Sequence, residues 1–90
     1  MSYKESLADV VMEGDWCLSV IEGTTLVCVF LPGGAGMTML PIKLPPGQTG
    51  CCWDWNNSVT KPTLTPRVRV TTDKELWHGW VRNGELVSCL

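Results

Sequence analysis

The chain has 90 residues, 44% of them hydrophobic, with seven Lys and Arg against nine Asp and Glu and a net charge of −2. That length suits one domain, residues 1–90, around one small core. The acidic balance supplies no global field for DNA, extended RNA or an anionic membrane, and no apolar run approaches the roughly 20 residues needed to span a bilayer. No basic, apolar and small-residue leader pattern opens the chain, so an intracellular place is expected. Five Trp stand beside one Phe and one Tyr. So small a core cannot bury them all, and some are expected to meet a partner or a second copy of the chain. The five Cys, an odd number with no leader, read as buried thiols rather than a disulfide framework.

In chain order, Tyr3, Leu7, Val10 and Val11 recur at roughly helical spacing, and Ser2 with Glu5 fits a capping box. Residues 1–13 are therefore expected as a short helix or an ordered arm, and residues 16–90 as a β domain. Trp16 to Ile21 reads as a strand with Trp16, Leu18 and Val20 on one face. Thr24 to Leu31 is apolar on both faces, which predicts a central strand covered on both sides. The run Pro32-Gly33-Gly34-Ala35-Gly36 is a turn; it lacks the Gly-Lys-Ser/Thr ending and the following helix of a phosphate loop. Met37 to Leu44 returns as a strand, and Pro41 puts it at an edge or a bulge.

Cys51 to Trp55 is expected as a strand with Trp53 and Trp55 on one face. Asn56, Asn57 and Ser58 then carry turn chemistry. Pro62 and Pro66 bracket Thr63-Leu64-Thr65 and stiffen it into an extended peg with Leu64 at its centre. Arg67 to Thr72 alternates basic and apolar. Leu76 to Arg82 and Glu85 to Leu90 form a hairpin around Asn83-Gly84, the residues a type I′ turn requires. That turn sets Arg82 opposite Glu85, Trp80 opposite Val87 and His78 opposite Cys89. The fold class is all-β: a small barrel or sandwich of six to seven short strands with a C-terminal hairpin.

Chemistry is sparse. His78 is the only imidazole, and no acid partner for a Ser-His-Asp site is identifiable from spacing alone. His78 and Cys89 make half of a tetrahedral metal site, with Cys51 or Cys52 as a third ligand in that alternative; a hydrogen-bonded His beside a small thiol is the simpler reading. Arg67 and Arg69 share a face, and Trp side chains beside them suit a partner protein or a small nucleotide.

The strings Leu31-Pro32-Gly33-Gly34-Ala35, Met39-Leu40-Pro41, W-D-W-N with K-P-T-L-T-P, and W-H-G-W-V-R-N-G together resemble a family of small tailed-phage and prophage proteins, zinc-ribbon-like and sometimes labelled ammonia monooxygenase. The resemblance covers roughly residues 24 to 86. It implies a C-P-G-C knuckle, but Leu31 and Gly34 stand at the knuckle cysteines and Trp77 at the cysteine of a C-H pair, leaving His78 alone. The implied protein is a ribbon that has lost its metal and needs no cofactor. Its implied role is non-enzymatic: an oligomeric accessory protein, most simply a dimer, that binds and blocks a host factor such as a defence component in the host cytoplasm. The expected binding residues are Trp53, Trp55, Arg67, Arg69, Trp77, Trp80 and Arg82. A capsid decoration protein of the virion and a sponge for a small nucleotide signal are the alternatives.

Overall fold

A computed structural model describes residues 1–89. It is all-β, as the alternation predicts, with nine strands among these residues and one 3-10 turn in place of any longer helix. The strands are β1 (Ser2–Tyr3), β2 (Asp15–Ile21), β3 (Thr24–Leu31), β4 (Gly36–Lys43), β5 (Asp54–Trp55), β6 (Leu64–Thr65), β7 (Val68–Thr71), β8 (Glu75–Arg82) and β9 (Glu85–Ser88). They form a four-stranded sheet β1-β2-β3-β4, a two-stranded sheet β5-β6 and a three-stranded sheet β7-β8-β9. The sheets pack on one another without closing into a barrel.

The N-terminal helix expected over residues 3–12 is absent. Ser2 and Tyr3 instead run parallel to β2, and only Leu7–Asp9 turns, capped by Ser6 rather than by the Ser2/Glu5 box. The buried Asp15 carboxylate accepts from the backbone N–H groups of Val11 and Met12, at 3.3 and 3.0 Å, and so bends the segment where a helix would have continued. Tyr3 packs edge-on to Trp16, with ring centroids 4.9 Å apart.

The central strand β3 is covered on both faces. Val27, Val29 and Leu31 enter the main core with Trp16, Leu40, Leu64, Val68, Trp77 and Val81. Its other face sends Cys28 into a second cluster with Val10 and Cys17, flanked by Leu26 and Phe30. In β8 the alternation is strict at its C-terminal end: Trp77, Gly79 and Val81 point inward, while His78, Trp80 and Arg82 point away from the core. The hairpin register is the one its turn demands, with Arg82 opposite Glu85, Trp80 opposite Val87 and Gly79 opposite Ser88. Asn83 and Gly84 take φ of 53° and 79°. The strand expected to reach Leu90 ends at Ser88, and Leu90 lies outside the described residues.

The expected strand over residues 51–55 shortens to Asp54–Trp55, paired with Leu64–Thr65. Between them the chain is held by one side chain. The Asn56 carboxamide oxygen accepts from the N–H groups of Ser58 and Thr63, at 3.2 and 3.0 Å, and its Nδ2 donates to the Lys61 carbonyl at 3.0 Å. The peg then docks on the hairpin tip. Asn83 N–H donates to Thr63 Oγ1 at 2.8 Å, and Gly84 N–H donates to the Pro62 carbonyl at 2.9 Å. Pro62 and Leu64 are buried beneath these bonds.

Two substitutions test this arrangement by thermal or urea unfolding. Asn56→Ala removes three hydrogen bonds from the peg and is expected to cost about 1–3 kcal/mol, the partners regaining water because the loop is exposed. Gly84→Val is expected to cost about 1–2 kcal/mol or more, because a β-branched residue resists positive φ. A Cβ at Gly84 would also sit 3.1 Å from Lys61 Cα. An unchanged midpoint in either variant contradicts the docking of the peg on the turn.

Candidate active site

The only imidazole lies on the outer face of the β7-β8-β9 sheet. Arg69 is its neighbour on β7. On the other side the ladder continues one residue past β9: Cys89 N–H donates to the His78 carbonyl at 3.0 Å, which sets Cys89 opposite His78 on the same face. Glu75 completes the group. On a regular strand residues 75 and 78 would face opposite sides. The register shifts between Val70 and Thr71, so Thr71 pairs with Glu75 while Val70 pairs with Trp77. The extra residue, Leu76, turns Glu75 over to the His78 face, as a β-bulge does. Glu75 Oε1 then lies 2.8 Å from Arg69 Nε and 3.4 Å from His78 Nδ1. The result is an imidazole with a carboxylate at Nδ1, Arg69 holding that carboxylate, and a thiol directly across the ladder.

A groove of about 480 Å³ continues from this face between the peg and β8, lined by Thr65, Pro66, Arg67, Trp80 and Arg82 over Leu64 and Val81. The Arg82 guanidinium carbon stands 5.0 Å from the centre of the Trp80 ring. The expected binding residues thus divide. Arg67, Arg69, Trp80 and Arg82 lie on this one face. Trp77 does not: it is 7% exposed and belongs to the core, which corrects its expected place on a binding surface. Its position in the inward alternation of β8 is the reason. Trp53 and Trp55 are half-buried against the core, Trp55 edge-on to Trp16 at 6.2 Å with its indole N–H donating to the Ser58 carbonyl. Among the described residues no three of His, Cys, Asp and Glu lie close enough together to hold a metal ion.

The thiols divide as well. All five are free. Cys17 and Cys28 face each other across β2 and β3 in full burial. Burial pushes both thiols up, Cys28 to about 11, where its contact with Cys17 adds to the effect. Such thiols are poor nucleophiles. Cys51 is exposed and Cys52 half-buried, both in the loop before β5 and far along the chain from His78. Only Cys89 combines partial exposure with a place opposite His78 in the ladder. Of the serines, Ser2, Ser6, Ser19 and Ser58 belong to β1, the 3-10 cap, β2 and the peg loop. Ser88 adjoins Cys89 but pairs with Gly79, one step off in the alternation.

The family model described as "Bacterial ubiquitination-like system serine protease (BubE)" matches residues 3–89, nearly the whole chain, and shows the family to which it belongs. No curated protein and no solved structure matches it. The family overturns the resemblance to phage zinc-ribbon-like proteins. With it go the phage or prophage source, the degenerate ribbon, the non-enzymatic role and the accessory protein that blocks a host factor, together with the decoration and sponge alternatives. The physical reason is visible in the fold. The strings that carried the resemblance are a hairpin turn, an aromatic pair against the core, the docked peg and the Asn-Gly hairpin. They describe a scaffold, and a scaffold does not specify a chemistry.

The thiol environments give a direct expectation. In the folded protein an alkylating reagent should modify Cys51 and Cys89 and spare Cys17 and Cys28 until unfolding, read by mass spectrometry of peptides. Folding favours the neutral Cys28 thiol, so its contribution to stability is complete below its ordinary value of 9.0 and is lost as pH rises through about 11. Urea midpoints should therefore fall over that window, and less so in a Cys28→Ala variant.

Proposed function

We propose that this chain, as a member of the BubE family, hydrolyses peptide bonds with His78 as general base and Cys89 in the nucleophilic role that the family's name gives to a serine. The observation that carries the reading is the Glu75–His78 contact with a half-exposed thiol opposite. A carboxylate at Nδ1 favours the tautomer with its proton there and leaves Nε2 to accept one. The Arg69–Glu75 bond fixes the carboxylate, so it acts as a positioning group rather than a proton carrier.

The chemistry balances with these groups alone. The Cys89 proton passes to His78 Nε2 as sulfur attacks the carbonyl carbon. The tetrahedral intermediate collapses, the C–N bond breaks, and the departing amine takes the proton from the imidazolium. Water then gives its proton to His78 and attacks the thioester, releasing a carboxylate and restoring the thiol. A thiol in place of a hydroxyl at the nucleophile keeps this sequence of steps.

The test is a library of quenched fluorescent peptides together with two labels, an iodoacetamide and a fluorophosphonate. His78→Ala is expected to lower cleavage about 10²–10⁴-fold. Cys89→Ala should abolish it, Cys89→Ser should retain a measurable part, and the iodoacetamide should inactivate at Cys89 with loss of that labelling in Cys89→Ala. Fluorophosphonate modification of Ser88 with full activity in Cys89→Ala would transfer the role to the neighbouring hydroxyl.

A further inference from the structure

We propose that the groove beside Trp80 is a specificity pocket for an acidic side chain of an extended peptide substrate, recognised by Arg67 and Arg82. The inference rests on the hydrolytic reading of the same sheet face. Of the three arginines there, one is committed: Arg69 is bonded to Glu75. Among the described residues Arg67 and Arg82 form no ion pair, although Glu85 stands opposite Arg82 in the hairpin register. Both line the groove, whose floor is the buried Leu64 and Val81. The Arg82 guanidinium carbon lies over the Trp80 ring, 5.0 Å from its centre, and this contact uses none of its N–H donors in a hydrogen bond. A planar carboxylate meets guanidinium N–H groups in a bidentate pair.

Position along the strand makes the ligand a peptide side chain. His78, Trp80 and Arg82 succeed one another on one face of β8. At about 3.3 Å per residue, the groove begins roughly 7 Å and ends roughly 13 Å from the imidazole level. An extended chain lying along β8 with its reacting bond at His78 therefore carries its second to fourth residue into the groove. The chain's overall charge of −2 gives no general attraction for an acidic peptide, so selectivity must arise from these two groups.

The experiment separates binding from hydrolysis. Isothermal titration of the His78→Ala variant uses N-acetylated, C-amidated peptides with Glu or Gln at the second to fourth positions. The Glu peptides are expected to bind about tenfold more tightly at low salt, as befits charge-assisted bonds. The advantage should disappear in an added Arg67→Gln/Arg82→Gln pair, whose melting temperature is checked against the parent. An Arg67→Glu/Arg82→Glu pair should prefer Lys peptides instead. Equal affinity for Glu and Gln, or an advantage that survives in the Gln pair, overturns the pocket. So does binding only by peptides with a free C-terminus, which would assign the groove to a terminal carboxylate. Absence of cleavage of the same peptides by the unsubstituted protein, with the Glu preference intact, refutes the hydrolytic reading alone; cleavage by it without the preference refutes the pocket alone.

Discussion

The docking of the proline-bracketed peg on the tip of the C-terminal hairpin is the constraint on which the rest of the molecule depends. The segment between β5 and β6 is too irregular to satisfy its own backbone by pairing. The Asn56 carboxamide therefore serves as a local partner for three backbone groups, and the peg spends its remaining polar groups on Asn83 and Gly84. This leaves Pro62 and Leu64 free to enter the core without unpaired polar cost. It also joins the two-stranded sheet to the three-stranded one, because Leu64 shares a cluster with Trp77 and Val81 of β8. The groove beside Trp80 exists because the peg stands against β8 at this height.

The same packing decides what the outer face displays. Filling the interior with Trp77, Gly79 and Val81 commits the alternate residues His78, Trp80 and Arg82 to the other side. Gly79 is part of that solution, since any side chain there would collide with the Val87 carbonyl and the Trp77 ring. The bulge at Leu76 then brings an acid to the imidazole. Gly33 of the β3–β4 turn packs over the same place, where a Cβ would lie 2.5 Å from the Leu76 carbonyl. The Glu75 carboxylate is thus held by the Arg69 bond, and the backbone of the bulge beside it by the close approach of a glycine turn.

That arrangement explains how the aromatic and glycine-rich strings suggested a different kind of protein. Each string reports a local physical need: positive φ in a turn, a flat ring against the core, a stiff extended segment, a two-residue hairpin. Proteins with unrelated activities share such needs. The proposed hydrolytic site rests on the relation among Glu75, His78 and Cys89, and no contiguous string contains it.

The residues alone determined the all-β class, the doubly covered β3, Leu64 as the centre of the peg, and the hairpin register from Asn83-Gly84. These follow from short-range rules, namely side-chain alternation, proline geometry and the φ preference of a type I′ turn. The neighbourhood of His78 and Cys89 was legible for the same reason, since it lies five residues from the turn that sets the register. The tertiary structure decided the rest. Helical spacing in the first residues gave way to β1 because β2 offered an edge and Asp15 captured the amides of Val11 and Met12. Trp77 became core, and Trp53 and Trp55 half-buried, because burial depends on which sheets meet. Glu75 reached His78 only through a one-residue bulge, which reverses a side chain's face and is set by the pairing of β7 with β8 rather than by composition.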